Sequence, residues 1–277
     1  MALNLLPDRR WGVSPSVGIA AGTLGTPSLH EGIAWVREAG FTGIEIDASA
    51  RPGALHAPAV SREDRTRLRA ELADLSGLAL VAPHKDTFDV SLVSPSAAIR
   101  RASVAEIWAV CRLAEALGGA VVSVRSGWAP SGVDRRRQRE LLLECLTTLD
   151  RVAGDHNATI GVENADYFAD ADALGELEAL PLRHVGITLD AERLIENRGE
   201  PVETLVRRFG RRIVHLRLPG PEGGDPSDPA DVVAALEANR YVGMTCLVPG
   251  RGFVSPEQAR ETKARWDRAV ADARGSR

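Results

Sequence analysis

Cysteine, lysine and aromatic residues are scarce in this 277-residue chain, and each shortage excludes something. The three cysteines, Cys111, Cys145 and Cys246, lie far apart, are odd in number and form no CxxC pair. A disulfide framework is therefore not expected, and reduced, buried thiols are. Positive charge is not in excess: the net charge is −4 and the pI about 5.9, so no broad basic field exists to hold a nucleic-acid backbone. Lysine gives way almost wholly to arginine, a trait of coding bias in GC-rich genomes. No stretch approaches the ~18 consecutive apolar residues of a membrane span. The apolar part of Met1–Arg10 is too short for a secretory h-region, so a cytoplasmic location is expected. A Gly-rich dinucleotide fingerprint is also missing, since Gly18, Gly22 and Gly25 do not make GxGxxG. Nor does a linker divide the chain: the Gly/Pro-rich stretch Pro219–Pro229 is short enough to be a loop.

What the chain has is a repeated unit. Hydrophobic residues make up 44% of it, ample for a large core. Short apolar runs, several β-branched and free of charge through their middles, read as parallel strands buried on both faces: Ser16–Ala20, Gly43–Ile46, Ala79–Ala82, Ala120–Val124, Ala158–Val162, His184–Leu189, Arg212–Leu216 and Gly243–Val248. Amphipathic helices lie between them. Ser28 with Glu31 and Ser61 with Asp64 have the spacing of N-terminal caps. A long helix from about Ser96 to Leu117 stops at Gly118-Gly119, and Pro256 opens the last one. Helices also fit Asp134–Asp155, Asp172–Ala179, Val202–Phe209 and Asp228–Ala238. Eight rounds of strand and helix predict a closed (β/α)8 TIM barrel, a single α/β domain spanning 1–277 with the barrel proper at about 16–275. An open doubly wound sheet is the alternative.

In such a barrel the site lies at the carboxyl ends of the strands. The polar residues there are Glu45 and Asp47, then His84, Lys85 and Asp86, then Arg125, Glu163 with Asn164, Asp190 with Arg193, His215 with Arg217, and Arg251. Each has a structural alternative. Glu45 could be a mouth carboxylate paired with an arginine, His84 a hydrogen-bonded structural histidine, and Lys85 and Asp86 solvated loop charges. Arg125 interrupts an apolar strand and needs a partner at that depth, so a barrel-closing salt bridge would also account for it. Glu163 and Asp190 follow apolar runs and read as functional. His215 and Arg217, two apart on one strand, face the same side. That side is the interior if Val214, Leu216 and Leu218 pack on helices. His30, His56, His156 and His184 read as background.

Gly-Phe-Thr-Gly-Ile-Glu-Ile, Ala-Leu-Gly-Gly-Ala-Val-Val, Ile-Gly-Val-Glu-Asn, Gly-Ile-Thr-Leu-Asp and Arg-Ile-Val-His-Leu-Arg-Leu, in that order, resemble successive strand motifs of the xylose isomerase-like barrel superfamily. The resemblance runs from about Val17 to Val248. That superfamily includes sugar isomerases, ketose epimerases, inosose dehydratases and apurinic-site endonucleases. It implies a divalent metal between Glu on the fifth strand, Asp on the sixth, His on the seventh and Glu on the eighth. Here Glu163 and Asp190 match, but the second member of the seventh-strand His-x-His pair is Arg217 and the eighth-strand Glu falls on Val248. Arg193 and Arg125 stand where other members carry histidines, and His84 keeps the third-strand character.

Two carboxylates and His84 do not make a complete Mg²⁺, Mn²⁺ or Zn²⁺ set, and guanidinium has no lone pair to give. The expectation is therefore a site without a cofactor. Glu163, Asp190 and His84 would be the proton-transfer residues, and Glu45, Arg125, Arg193, His215 and Arg217 would bind the substrate. Arginine forks suit a small, anionic or sugar-like substrate bearing a carbonyl, and can stabilise an enolate. The implied reaction is isomerisation, epimerisation or dehydration by proton transfer next to that carbonyl. One alternative is a metal-dependent isomerase, with Mn²⁺, Mg²⁺ or Zn²⁺ on Glu163 and Asp190, which a small shift of register would let His215, Glu45 or Asp47 complete. The other is a non-catalytic barrel in which the arginines only balance charge. No nucleic-acid or membrane partner is expected, and a homodimer is left open.

Overall fold

A computed structural model of the chain describes residues 16–20, 28–49, 54–83, 90–129, 131–196, 199–219, 228–248 and 255–275. Its strands are β1 (Ser16–Ala20), β2 (Gly43–Asp47), β3 (Gly77–Val81), β4 (Val121–Val124), β5 (Thr159–Glu163), β6 (Val185–Asp190), β7 (Ile213–Pro219) and β8 (Met244–Val248). Each pairs in parallel with the next, and β1 also pairs with β8, so the sheet closes on itself. The protein is a (β/α)8 TIM barrel.

The helices are α1 (Leu29–Glu38), α2 (Arg62–Glu71), α3 (Ala97–Ala116), α4 (Arg135–Asp155), α5 (Ala171–Glu178), α6 (Ala191–Glu196), α7 (Val202–Phe209), α8 (Pro229–Ala238) and α9 (Pro256–Gly275). The sequence-level caps hold. Ser28 accepts the Glu31 N–H at 3.3 Å and Ser61 accepts the Asp64 N–H at 3.1 Å, each satisfying a donor the first helical turn leaves open. Asp134, Asp170 and Asp228 cap α4, α5 and α8 in the same way. Ser96 precedes α3 but makes no cap hydrogen bond. The short α6 was not foreseen: it starts directly after Asp190, with no spacer to mark it. No helix among the described residues is long and apolar enough to cross a membrane.

Strand pairing sorts side chains by face. Ile19, Ile44, Ile46, Leu80, Val122, Val162, Ile187 and Leu216 join the large core between sheet and helices. Alternate positions face the lumen, where Ala20, Ala79, Val121, Val214, Met244 and Cys246 pack together. Of the three residues whose packing on helices would turn His215 and Arg217 inward, Leu216 and Leu218 pack there and Val214 does not. Ile187 pairs with Ile213 and Thr188 with His215, so β7 carries one extra residue, a bulge that turns Val214 inward while Leu216 and Leu218 keep the helix side. Glycines on the neighbouring strands make room for it. A Cβ on Gly186 would lie 2.5 Å from the Arg212 carbonyl oxygen and 2.6 Å from a Val214 methyl. The bulge matters because it sets which β7 residues reach the mouth.

Candidate active site

Five of the eight proposed site residues face into the lumen. Glu45 on β2, Glu163 on β5, Asp190 on β6, and His215 and Arg217 on β7 are inward positions of their strands. The strand runs stop one residue short at the sequence level: Glu163 and Asp190 are the last residues of β5 and β6, and Arg217 lies well inside β7. A strand end reads as loop when its final inward residue is charged. Glu45 and Asp47 are likewise part of β2. His84, Lys85, Asp86 and Arg251 lie outside the described residues.

Arg217 is the hub. Its Nη1 donates to Asp190 Oδ2 at 2.6 Å, and its Nε lies 3.2 Å from Glu45 Oε2. Asp190 is held on its other oxygen by the Glu192 N–H at 3.0 Å, and its backbone is gripped by the Asn164 side chain, which accepts the Asp190 N–H and donates to its carbonyl. Both oxygens of Asp190 are thus committed within the protein.

Glu163 has looser company. Arg193 Nε is 3.6 Å and Arg125 Nε 3.9 Å from its Oε1, and neither makes a hydrogen bond to it. Arg193 rises from α6, is 37% exposed, and spends its Nη1 on Glu196 at 2.8 Å. Arg125 is buried and belongs to Asp166, which takes its Nη2 at 2.8 Å and its Nε at 3.2 Å and also accepts the Gly127 N–H. The salt-bridge alternative for Arg125 therefore describes its geometry better than a free substrate fork. Sequence reasoning missed Asp166. It sits at a positive φ of 55° in the turn after β5, and nothing in its neighbours marks it as the partner of a residue on β4.

Electrostatics follow from burial. Desolvation pushes the Glu45 carboxyl up to about 7, against the pull of Arg217 and with repulsion from Asp190, Glu163 and Asp47. Glu163 is also raised, again by burial first, with Asp190 adding and Arg217, Arg125 and Arg193 opposing. His215 is lowered to about 3 by burial and by the Arg217 cation, so its imidazole is neutral. Raised carboxyls beside guanidinium groups suit a proton acceptor working near neutral pH.

The divalent metal implied by the sequence resemblance does not fit this arrangement. Its seventh-strand place is filled by a guanidinium bonded to Asp190, and its eighth-strand place is Val248, which packs with the apolar residues of the lumen. Glu45 and His215 do come together, Nε2 to Oε2 at 3.4 Å, but with Cys246 of β8 rather than with Glu163 and Asp190. Cys246 is a free, buried thiol, as the sequence implies, but it belongs to the lumen group, which the sequence does not show. The signal for it lay in the register, because an inward position on β8 next to Arg217 is as much part of the lumen as the arginine itself.

The background histidines stay background. His30 pairs with Glu71, and His156 lies between Trp108 and Glu115. His184 packs against Gly154, and His56 precedes a short 3-10 turn.

Comparison with known proteins adds to the geometry. A family model described as xylose isomerase-like TIM barrel matches residues 33–225. No curated protein sequence matches the chain. Among solved structures, an L-ribulose 3-epimerase superposes with a TM-score of 0.78 at 19% identity, covering 95% of this chain and 97% of its own. A D-tagatose 3-epimerase-like protein gives 0.77 at 18% identity, covering 94% and 99%. A D-psicose 3-epimerase from Clostridium cellulolyticum H10 gives 0.74 at 17% identity, covering 94% and 98%. At such identities the likeness establishes the fold.

Proposed function

The chain belongs to the xylose isomerase-like TIM barrel family, and from that premise we propose that it is an isomerase or epimerase of a small carbonyl-bearing substrate, sugar-like or anionic, working without a metal between Glu163 and Asp190. The observation that carries the reading is Arg217, whose guanidinium is bonded to Asp190 and in contact with Glu45, on the strand position where the resemblance expects a metal ligand. The two epimerases and the epimerase-like protein with which the chain shares its fold are consistent with a ketose-type substrate.

In this scheme Glu163 is the base. The C–H bond next to the carbonyl breaks, the proton passes to the Glu163 carboxylate, and the electron pair moves to give an enediolate. Arg193, half-exposed above Glu163, and Arg217 stabilise the charge that develops on the carbonyl oxygen, the electrostatic service a cation renders in such reactions. Reprotonation at the same carbon from the opposite face gives the epimer, and at the neighbouring carbon the isomer. Expulsion of a β-hydroxyl as water gives dehydration. His84 is proposed as the second acid. Glu45, almost fully enclosed, acts from beneath as a positioning residue that fixes Arg217, and Asp166 in turn fixes Arg125.

Solvent deuterium exchange tests this. D-tagatose, L-ribulose and D-psicose are incubated with the protein in D₂O and the C–H signals next to the carbonyl followed by NMR. Exchange is expected in at least one, and Glu163→Gln abolishes it while leaving thermal unfolding nearly unchanged. If Glu163 is only an ion-pair partner, Glu163→Gln lowers the melting temperature and leaves any exchange in place.

A further inference from the structure

One layer of the lumen is polar and unsatisfied. Glu45, His215 and Cys246 are each buried to 3% exposure or less, and one ligand atom of each lies within 4.8 Å of the others. Among the described residues, both ring nitrogens of His215 and Oε2 of Glu45 have no hydrogen-bond partner, and the same is true of the lumen-facing Ser123 and Thr188 hydroxyls. A fully buried imidazole with two idle nitrogens carries a desolvation cost that native proteins rarely leave uncompensated.

We infer that Glu45, His215 and Cys246 form a binding site for a borderline transition-metal ion such as Zn²⁺, separate from the Glu163–Asp190 pair at the mouth.

The donor chemistry fits. Thiolate, imidazole and carboxylate are the ligands Zn²⁺ takes in three-residue sites, with a fourth position for water or a hydroxyl. The geometry fits where it can be measured. With Zn–N and Zn–O near 2.0–2.1 Å, the edge of a tetrahedron is about 3.4 Å. His215 Nε2 and Glu45 Oε2 are 3.4 Å apart, close to that edge, without the hydrogen bond that would otherwise explain their approach. Cys246 completes the face from the adjacent strand, because the β7–β8 register sets Cys246 opposite Arg217, next along the lumen face from His215. Charge also balances. A dication with one thiolate and one carboxylate is neutral, and the Arg217–Asp190 pair beside it is neutral too. Glu45 Oε2 faces both His215 Nε2, at 3.4 Å, and Arg217 Nε, at 3.2 Å, so the guanidinium would stand beside the ligating oxygen as its outer partner. Binding releases the thiol proton to solvent as the S–Zn bond forms, with no change of oxidation state.

The test uses the full chain. The purified protein is loaded with Zn²⁺ or Co²⁺, dialysed, and assayed by elemental mass spectrometry and absorption. The expected result is a stoichiometric amount of retained metal, with a thiolate-to-Co²⁺ charge-transfer band in the near ultraviolet that Cys246→Ser abolishes and His215→Gln weakens. The band in the unsubstituted protein is sufficient support if either variant fails to fold. Two results overturn the inference. One is retained metal with no thiolate band, lost instead on Asp190→Asn, which moves the ion to the mouth and also ends the metal-free reading of that site. The other is no retained metal, which leaves the chamber to ordered water and leaves the proposed reaction untouched.

Discussion

Replacing Arg217 with methionine tests the hub directly. The substitution keeps much of the side chain's volume and removes the one cation that touches both Asp190, at 2.6 Å, and Glu45, at 3.2 Å. Arg217 is also the largest favourable influence on Glu163. Removing one partner of a buried ion pair costs about 3–5 kcal/mol, because the other charge is left uncompensated. For a chain of this size each kcal/mol shifts the melting temperature by roughly 2–4 °C, so a fall on the order of 6–20 °C is expected. The loss must depend on pH. Without the cation, Glu45 rises further above about 7 and Glu163 rises with it, so the folded state holds their protons more tightly. A raised folded pKa gives stability at low pH that disappears as pH rises through it. The gap between Arg217→Met and the unsubstituted protein is therefore small near pH 5 and large near pH 8. Urea unfolding at several pH values measures it. A gap below about 1 kcal/mol at every pH, the scale of an exposed pair, would show that the guanidinium does not hold these carboxylates together.

Three further outcomes follow from the same geometry. Asp166→Ala leaves buried Arg125 without its paired acceptor and is expected to cost about 3 kcal/mol, with Asp166→Asn costing clearly less; equal losses in urea unfolding would contradict the clamp. Glu45→Gln, compared with the unsubstituted protein in the presence of chelator, removes a group whose folded pKa is raised from 4.5 to about 7. That group's stabilisation is present below 4.5 and lost as pH rises through 7, so the variant gains relative stability over that window, by about 3 kcal/mol at most; a flat difference would contradict it. Gly186→Ala places a Cβ 2.5 Å from a backbone oxygen and is expected to destabilise by more than about 2 kcal/mol or to stop folding, with thermal unfolding as the check.

The barrel was legible because its signal is redundant: eight apolar runs, each with a helix behind it and several of those helices capped, all imply the same closure. The carboxylates were legible for a related reason. Glu163 and Asp190 end apolar strands, and a charge there is conspicuous. What could not be read was partnership across strands. Arg125 announced that it needs a partner, but Asp166, far along the chain in a turn with positive φ, carries no mark of being that partner. Cys246 was legible as a buried thiol but not as a neighbour of Glu45 and His215, which are brought to it only by the closed register. The inward turn of Val214 could not be read because a bulge adds a residue without leaving a pattern in the sequence.

Mn²⁺ binding tests most directly whether Arg217 stands in the metal's place. Mn²⁺ favours oxygen-rich sites over thiolate ones, so the Glu45–His215–Cys246 group does not mask the result. The loss of the free-ion EPR signal is followed in the unsubstituted protein and in an Arg217→His, Val248→Glu double variant, which restores the ligand types the family resemblance implies beside Glu163 and Asp190. The account predicts that the unsubstituted protein leaves Mn²⁺ free and that the double variant binds it. Stoichiometric Mn²⁺ on the unsubstituted protein, lost on Glu163→Gln or Asp190→Asn, would contradict it.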